Sequence, residues 1–304
     1  MMIAHPNVYG FYEPDTGSVQ YVLVCPETRD AAIIDAVWNF DPRSGHTHTH
    51  SADEILRFVD REGLTVRWIL DTHPHADHFM AAGYLQDRLG APTAIGARTA
   101  LVTELWRQNY DVGSDILPDP DRVWDRVFKD GDRFEVGKIP VQVMLCPGHT
   151  LASITYLAGD AAFVHDTLFQ PDQGTARADF PGGDARQLWQ SIQTILALPD
   201  ETRTFTGHDY RPGGREAAWE STVGEQKLRN THLGLGQTED GFVQMRTQRD
   251  QTLPLPDRML AALMVNLRGG RMPPAHGNGI SYVPLPLDAD LHAPVPGVRA
   301  HAAE

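Results

Sequence analysis

Thr72–His73–Pro74–His75–Ala76–Asp77–His78 puts three imidazoles and a carboxylate into one short stretch. Neutral imidazole and carboxylate are the usual ligands of borderline transition metals. The spacing does not suit a helical site, where ligands on one face recur at i and i+4. The run just before it, 66–70 (VRWIL), reads as a buried strand. In extended backbone alternate residues share a face. His73 and His75 can therefore point at one metal. Asp77 and His78, where the chain turns into the next helix, can point at a second.

A metal site needs ligands from elsewhere, and three later points supply them. The strand-like run 139–146 (IPVQVMLC) ends in Pro147–Gly148–His149–Thr150. The apolar run 161–164 is followed by His165–Asp166–Thr167, and 202–206 leads into Gly207–His208–Asp209–Tyr210. Each candidate follows the C-terminal end of a short strand. Gly148 and Gly207 let the backbone pass close to the site without a Cβ in the way. Loops held by a rigid sheet are where chemistry usually sits.

Composition narrows the reading. A length of 304 residues suits one large domain, or one domain plus an extension. The net charge of −14 disfavours a nucleic-acid partner, which normally needs a basic face. Two cysteines far apart exclude a disulfide framework. Residues 1–10 carry no apolar secretory segment, and no apolar stretch approaches the roughly 20 residues that span a bilayer. The expectation is a soluble, cytoplasmic enzyme with no membrane contact.

The remaining pattern is mixed α and β. Residues 18–25 and 31–37 read as paired strands with a turn at 26–30. A helix is predicted from Ser51, with Ser51 as N-cap and Glu54 completing a capping box. Further helices are expected near 80–89, 97–108 and 188–198, and two strands around Gly131 and Gly137. Beyond about residue 231 the texture changes: 241–252 and 257–267 read as amphipathic helices, and 271–304 as a Pro- and Gly-rich wrap over the surface. Residues 1–232 are thus expected to form the main domain, and 233–304 an extension packed on it.

The ordered set H-x-H-x-D-H, P-G-H-T, an Asp after a strand, and G-H-D-Y resembles the metallo-β-lactamase superfamily over about residues 7–232. The resemblance implies a four-layer αββα sandwich, an α/β (α+β) fold with the metal site at one edge of its two sheets. It implies that His73, His75 and His149 bind a first metal and Asp77, His78 and His208 a second, with Asp166 able to bridge.

Fold alone does not give function. The full ligand set alone suggests zinc hydrolysis. The stretch Asp166–Thr167–Leu168–Phe169 and then Ala176–Arg177–Ala178–Asp179–Phe180–Pro181–Gly182–Gly183–Asp184 resembles the persulfide dioxygenases (sulfur dioxygenases), with Ala176 where that family has Gly. Asn266–Leu267–Arg268 and Asn278–Gly279 resemble a bacterial branch called β-lactamase-hydrolase-like. This resemblance implies one iron(II) on His73, His149 and Asp166, with glutathione persulfide and O2 as substrates and sulfite and glutathione as products. His75, Asp77, His78 and His208 then orient the ligands. Tyr210 is placed to donate a hydrogen bond at the metal or to substrate. Arg177 either ties its loop together through Asp179 or faces the glutathione carboxylates. The competing reading is a dizinc hydrolase of glyoxalase II type acting on glutathione thioesters, and a non-catalytic metal scaffold is a third. A homodimer is expected from the habits of such folds.

Other features read more plainly. Gly45–His50 alternates histidines without a carboxylate and is expected to be a solvated loop. His165 suits packing, Cys146 a small buried hydrophobe, and Asp209 a support for its loop. Met259, Leu260, Leu263 and Met264 recur at helical spacing and suit core or dimer packing.

Overall fold

A computed structural model describes residues 5–234, 236–289 and 291. Residues 292–304, the end of the stretch expected to wrap the surface, lie outside the described residues. The first half of the chain runs β1 (Asn7–Glu13), β2 (Ser18–Val24), β3 (Asp30–Ile34), β4 (Val37–Asp41), β5 (His46–His48), α1 (His50–Arg61), β6 (Thr65–Leu70), β7 (Phe79–Met80), α2 (Ala82–Leu89), β8 (Thr93–Gly96), α3 (Thr99–Tyr110) and β9 (Arg126–Phe128). The second runs β10 (Arg133–Val136), β11 (Ile139–Leu145), β12 (Ile154–Ala158), β13 (Ala161–His165), α4 (Ala185–Leu196), β14 (Arg203–Thr206), β15 (Glu220–Thr222), α5 (Val223–Arg229), α6 (Glu239–Asp250) and α7 (Met259–Asn266).

These strands build two six-stranded sheets, ordered β1-β2-β3-β6-β8-β9 and β10-β11-β12-β13-β14-β15, with a small β5-β4-β7 sheet beside them. The parallel pairs β3–β6, β6–β8, β8–β9 and β13–β14 are the ones whose connections contain α1, α2, α3 and α4. Parallel neighbours need such crossovers, because a tight hairpin cannot reverse the chain twice.

The alternation in β2 shows how the layers form. Val19, Tyr21 and Leu23 face the opposite sheet and join Phe134, Tyr156, Phe163 and Phe205 in the central core. Val22 and Val24 face the other way, onto Ala52, Ile55 and Phe58 of α1 and Leu85 of α2. On the far side, Leu188, Ile192 and Ile195 of α4 and Phe242 of α6 cover the second sheet at Ala162 and Val164. The result is the αββα sandwich expected from the sequence. Among the described residues no helix is long and apolar enough to cross a membrane.

Several local expectations are corrected. The predicted strand 31–37 breaks after Ile34: Asp35 adopts φ 52°, and Val37 starts β4 in the small sheet. A short polar side chain tolerates that left-handed backbone. The capping box at Ser51 does not form, because the helix begins one residue earlier at His50 and the Ser51 N–H donates to Asn39 Oδ1. The chain does form a capping box elsewhere, between Thr222 and Glu225 at the start of α5. The histidine run is no loop: His46–His48 pair with Asn39–Asp41 as β5, although His46, His48 and His50 are exposed as expected. Helix α7 is buried along most of its length rather than amphipathic, with Met259, Leu263 and Met264 packed on Val102, Leu105 and Trp106 of α3.

Candidate metal centre

The site lies where the C-terminal ends of strands from both sheets meet. From the first sheet comes the loop after β6. Asp35 anchors it: the carboxylate accepts from the Thr72 N–H at 2.7 Å, from Thr72 Oγ1 at 2.9 Å and from His75 Nε2 at 3.1 Å. These bonds settle the ring protons, which are assigned from their partners. Thr72 Oγ1 spends its proton on Asp35, so His73 Nδ1, 3.1 Å away, is the donor to Thr72 and His73 Nε2 keeps its lone pair. His75 donates from Nε2 and keeps the lone pair on Nδ1.

The second sheet supplies the rest. Gly148, at φ 133°, runs so close to Leu188 that a Cβ would sit 2.2 Å from the Leu188 nitrogen. This close pass presents His149, whose Nδ1 donates to the Arg177 carbonyl at 2.9 Å and leaves Nε2 free to ligate. Asp166 follows β13 and packs against Gly207, where a Cβ would lie 2.3 Å from its Oδ1. His208 follows β14, with Nε2 3.5 Å from Asp77 Oδ2 and 3.3 Å from Asp166 Oδ2. Ser18 Oγ donates to the same Asp77 oxygen at 3.1 Å.

The structure therefore brings every predicted ligand into one cluster. The ligand atoms of His73, His149 and Asp166 lie within 4.8 Å of one another, as do those of His75, Asp77 and His78. His165 stands apart: Nδ1 accepts from the Asp166 N–H and Nε2 donates to Thr167 Oγ1, so both ring nitrogens are used locally.

The donor set fits a transition metal. His73 Nε2, His75 Nδ1 and Asp166 Oδ1 are buried without a hydrogen-bond partner. Orphaned buried polar atoms are costly, and three of them converging in one cluster are explained by a cation. The charges agree. Burial opposes ionisation of Asp166, yet His208 and His149 hold its carboxyl well below the usual range. Burial and the surrounding imidazoles keep His73 neutral, with its pKa well below the ordinary value. His78 is lowered to about 4, mainly by burial. Two rings go the other way: at His75 the Asp35 carboxylate outweighs burial and raises the pKa, and at His208 Asp166 and Asp77 outweigh burial and push it up to about 10. Metal ligation by His208 therefore requires release of a proton.

A cavity of about 760 Å3 opens onto this cluster. Asp77, His149, Asp166 and His208 reach it, whereas His73, His75 and His78 do not line it. Tyr210 is exposed at the mouth and stacks on His208, with ring centroids 5.5 Å apart and 9° between the planes. Arg177 also lines the cavity, but its guanidinium forks onto Asp179 at 2.6 and 2.8 Å and donates to the Pro254 carbonyl at 2.6 Å. Asp209 accepts from Arg215 and from the Ala218 N–H, holding the His208 loop. Cys146 is fully buried and pushed up to about 12, chiefly by burial, which makes it an inert thiol.

Sequence reading gave no site role to four contributors. Asp35 was legible only as a charge inside an apolar run. Arg246 and Arg249 of α6 line the cavity, Arg246 buried and paired with Asp250 at 2.5 Å, Arg249 exposed. Asn266 of α7 contacts the ligand loop itself.

The sandwich and this ligand cluster agree with the comparisons. The chain belongs to the metallo-beta-lactamase superfamily, whose family model matches residues 14–208. It is 58% identical over 285 residues to the beta-lactamase hydrolase-like protein of Agrobacterium fabrum, covering 94% of this chain and 65% of that protein. The chain thus spans a little under two thirds of that relative. It is 39% identical to glyoxylase B2 of Dictyostelium discoideum, over 91% of this chain and 96% of that one. It is 27% identical to the mitochondrial persulfide dioxygenase ETHE1 of Homo sapiens, over 86% and 88%. Among solved structures, ETHE1 from Myxococcus xanthus superposes with a TM-score of 0.71 at 28% identity, covering 87% of this chain and 100% of that one.

Proposed function

We propose that the protein is an iron-dependent persulfide dioxygenase that converts glutathione persulfide, O2 and water to glutathione and sulfite. In this reaction the S–S bond breaks, the terminal sulfur is oxidised, O2 takes up the electrons, and the thiol leaves with a proton. The observation that carries the reading is the two-histidine, one-carboxylate set His73, His149 and Asp166, of which His149 and Asp166 face the cavity. Such a set is the usual holder of non-haem iron(II) in oxygenases. Held by His73, His149 and Asp166, iron(II) would supply the electron that lets triplet O2 react with closed-shell sulfur. The likeness to the two ETHE1 proteins supports the same choice.

The chain's own groups do the rest. The Arg177 carbonyl fixes the tautomer and tilt of His149. His208 Nε2, 3.3 Å from Asp166 Oδ2, forms an ion pair that holds that carboxylate beside His149. Phe169 and Phe180 line the cavity and restrict water around the reacting sulfur. Arg249, exposed on the cavity wall, is positioned for a carboxylate of the glutathionyl group. Tyr210 at the mouth offers its hydroxyl to the bound persulfide.

A second reading has its own support. His75, Asp77 and His78 form another ligand group, which suits a dizinc hydrolase of glutathione thioesters, and the likeness to glyoxylase B2 points the same way. The deciding experiment is oxygen uptake by iron(II)-loaded protein given fresh glutathione persulfide, with sulfite assayed alongside. Uptake matched by sulfite is expected. No uptake at full iron loading, with thioester turnover by the zinc-loaded protein, overturns the assignment. We also propose that the protein works as a cytoplasmic homodimer on small molecules, without nucleic acid or membrane. Light scattering of the purified protein tests the dimer.

A further inference from the structure

The metal loop is held from outside the superfamily domain. Its six central residues, His73–His78, carry four candidate ligands. Among the described residues no backbone–backbone hydrogen bond ends on them. Among the described residues the hydrogen bonds to their main chain come from one side chain: Asn266 Nδ2 donates to the His75 carbonyl at 2.7 Å and to the His78 carbonyl at 2.8 Å. The same amide accepts at Oδ1 from the Met80 N–H at 2.7 Å. Asn266 is fully buried at the end of α7, beyond the 14–208 match to the superfamily.

A primary amide suits this post. It offers two donors and an acceptor in one rigid plane, so one group can bridge two carbonyls and an N–H that face each other across a turn. The two carbonyls flank Ala76 and Asp77, so their spacing sets where His75, Asp77 and His78 sit. The helix that carries Asn266 is itself fixed by apolar packing on α3, and Gly83 N–H donates to the Gly269 carbonyl just beyond it. The clamp is therefore mounted on a rigid element.

We propose that Asn266 is a positioning residue for the metal centre: its carboxamide sets the backbone of the His73–His78 loop and, through it, the ligand geometry. The inference rests on the cluster being a metal site, not on which reaction it runs. Groups that orient metal ligands typically matter by roughly 10- to 100-fold in affinity.

The test is cobalt(II) binding to the full chain, read from its ligand-field absorption and by competition with a chelator. Asn266→Ala and Asn266→Asp are compared with Leu263→Ala, which thins the apolar cluster that the same helix shares with Ala76 but removes no hydrogen bond to the loop. Asn266→Asp keeps the size and the acceptor for Met80 while removing both donations, so it stays informative should Asn266→Ala not fold. The expected result is a shifted cobalt spectrum and affinity weakened roughly 10-fold or more in both Asn266 variants. Leu263→Ala is expected to lower the melting temperature with the spectrum unchanged. A wild-type spectrum and affinity in Asn266→Asp overturns the proposal, as does an equal spectral change in Leu263→Ala. Wild-type protein that binds no cobalt fails the metal-site reading instead, which keeps the two failures distinct.

Discussion

The carbonyl oxygen of Arg177 accepts the Nδ1 proton of His149 at 2.9 Å, while the Arg177 side chain forks onto Asp179. One residue thus orients a candidate ligand with its main chain and braces the cavity wall with its side chain. A change at position 177 is therefore transmitted to the metal as well as to substrate.

The two ligand groups separate by mutation. His149→Ala removes a ligand that faces the cavity and is expected to abolish bound iron and activity together. His75→Ala is expected to leave substantial iron. Metal analysis of both variants checks this. Loss of two metal equivalents in His75→Ala favours the dinuclear hydrolase.

Gly207 is tested by adding one carbon. An alanine there places Cβ 2.3 Å from Asp166 Oδ1, a clash that only movement of the carboxylate relieves. Gly207→Ala is expected to fold, with metal affinity down roughly 10-fold or more and activity falling with it. Titration with a metal-sensitive dye measures the first quantity. Unchanged affinity would show that Asp166 is free to relocate.

Arg249 is an exposed cation on the cavity wall and is not among the candidate ligands. Arg249→Ala should raise KM for a glutathionyl substrate several-fold and leave kcat near wild type, because remote binding is lost equally from ground and transition states. Steady-state kinetics at constant ionic strength decides. A fall in kcat with constant KM would place Arg249 in the chemistry.

His232 should make stability depend on acid pH. Burial, then Arg246 and Arg249, lower it from 6.5 to about 4, so the folded state prefers the neutral ring. Its Nδ1 accepts from the Thr175 N–H, which a protonated nitrogen cannot do. The preference contributes stability above about pH 6.5 and is lost as pH falls toward 4. Discounted for partial exposure, the effect is on the order of 1–2 kcal/mol. Urea midpoints at pH 7 and pH 4 should fall by that much more in wild type than in His232→Gln. Parallel behaviour of the two proteins would remove His232 as the cause.

The ligands were readable because their signals are local. H-x-H-x-D-H lies in one stretch, and each later ligand follows a run that ends as a strand. The αββα layering followed from alternation, as in β2. What escaped reading acts across distance. Asp35 reaches His75 over 40 positions and Asn266 reaches it over 191, and nothing near either residue announces its partner. Ser51 is not the cap because the helix already starts at His50, which leaves Ser51 in the first turn with its N–H satisfied from outside by Asn39 Oδ1. The histidine run at 46–50 became a strand because β4 offered it an edge to pair with, a fact that lives in β4 and not in the run.

The order in which the chain is made gives the Asn266 contact a further meaning. Proteins are synthesised from the N-terminus and begin to organise as they emerge. The ligand loop after β6 appears early, His208 much later, and Asn266 later still. A nascent chain long enough to carry every candidate ligand still lacks the amide that spaces the His75 and His78 carbonyls. Capture of the metal in its final geometry then waits for chain made after the last candidate ligand, and a product arrested between His208 and Asn266 would leave the ribosome with its ligands present and its loop unset.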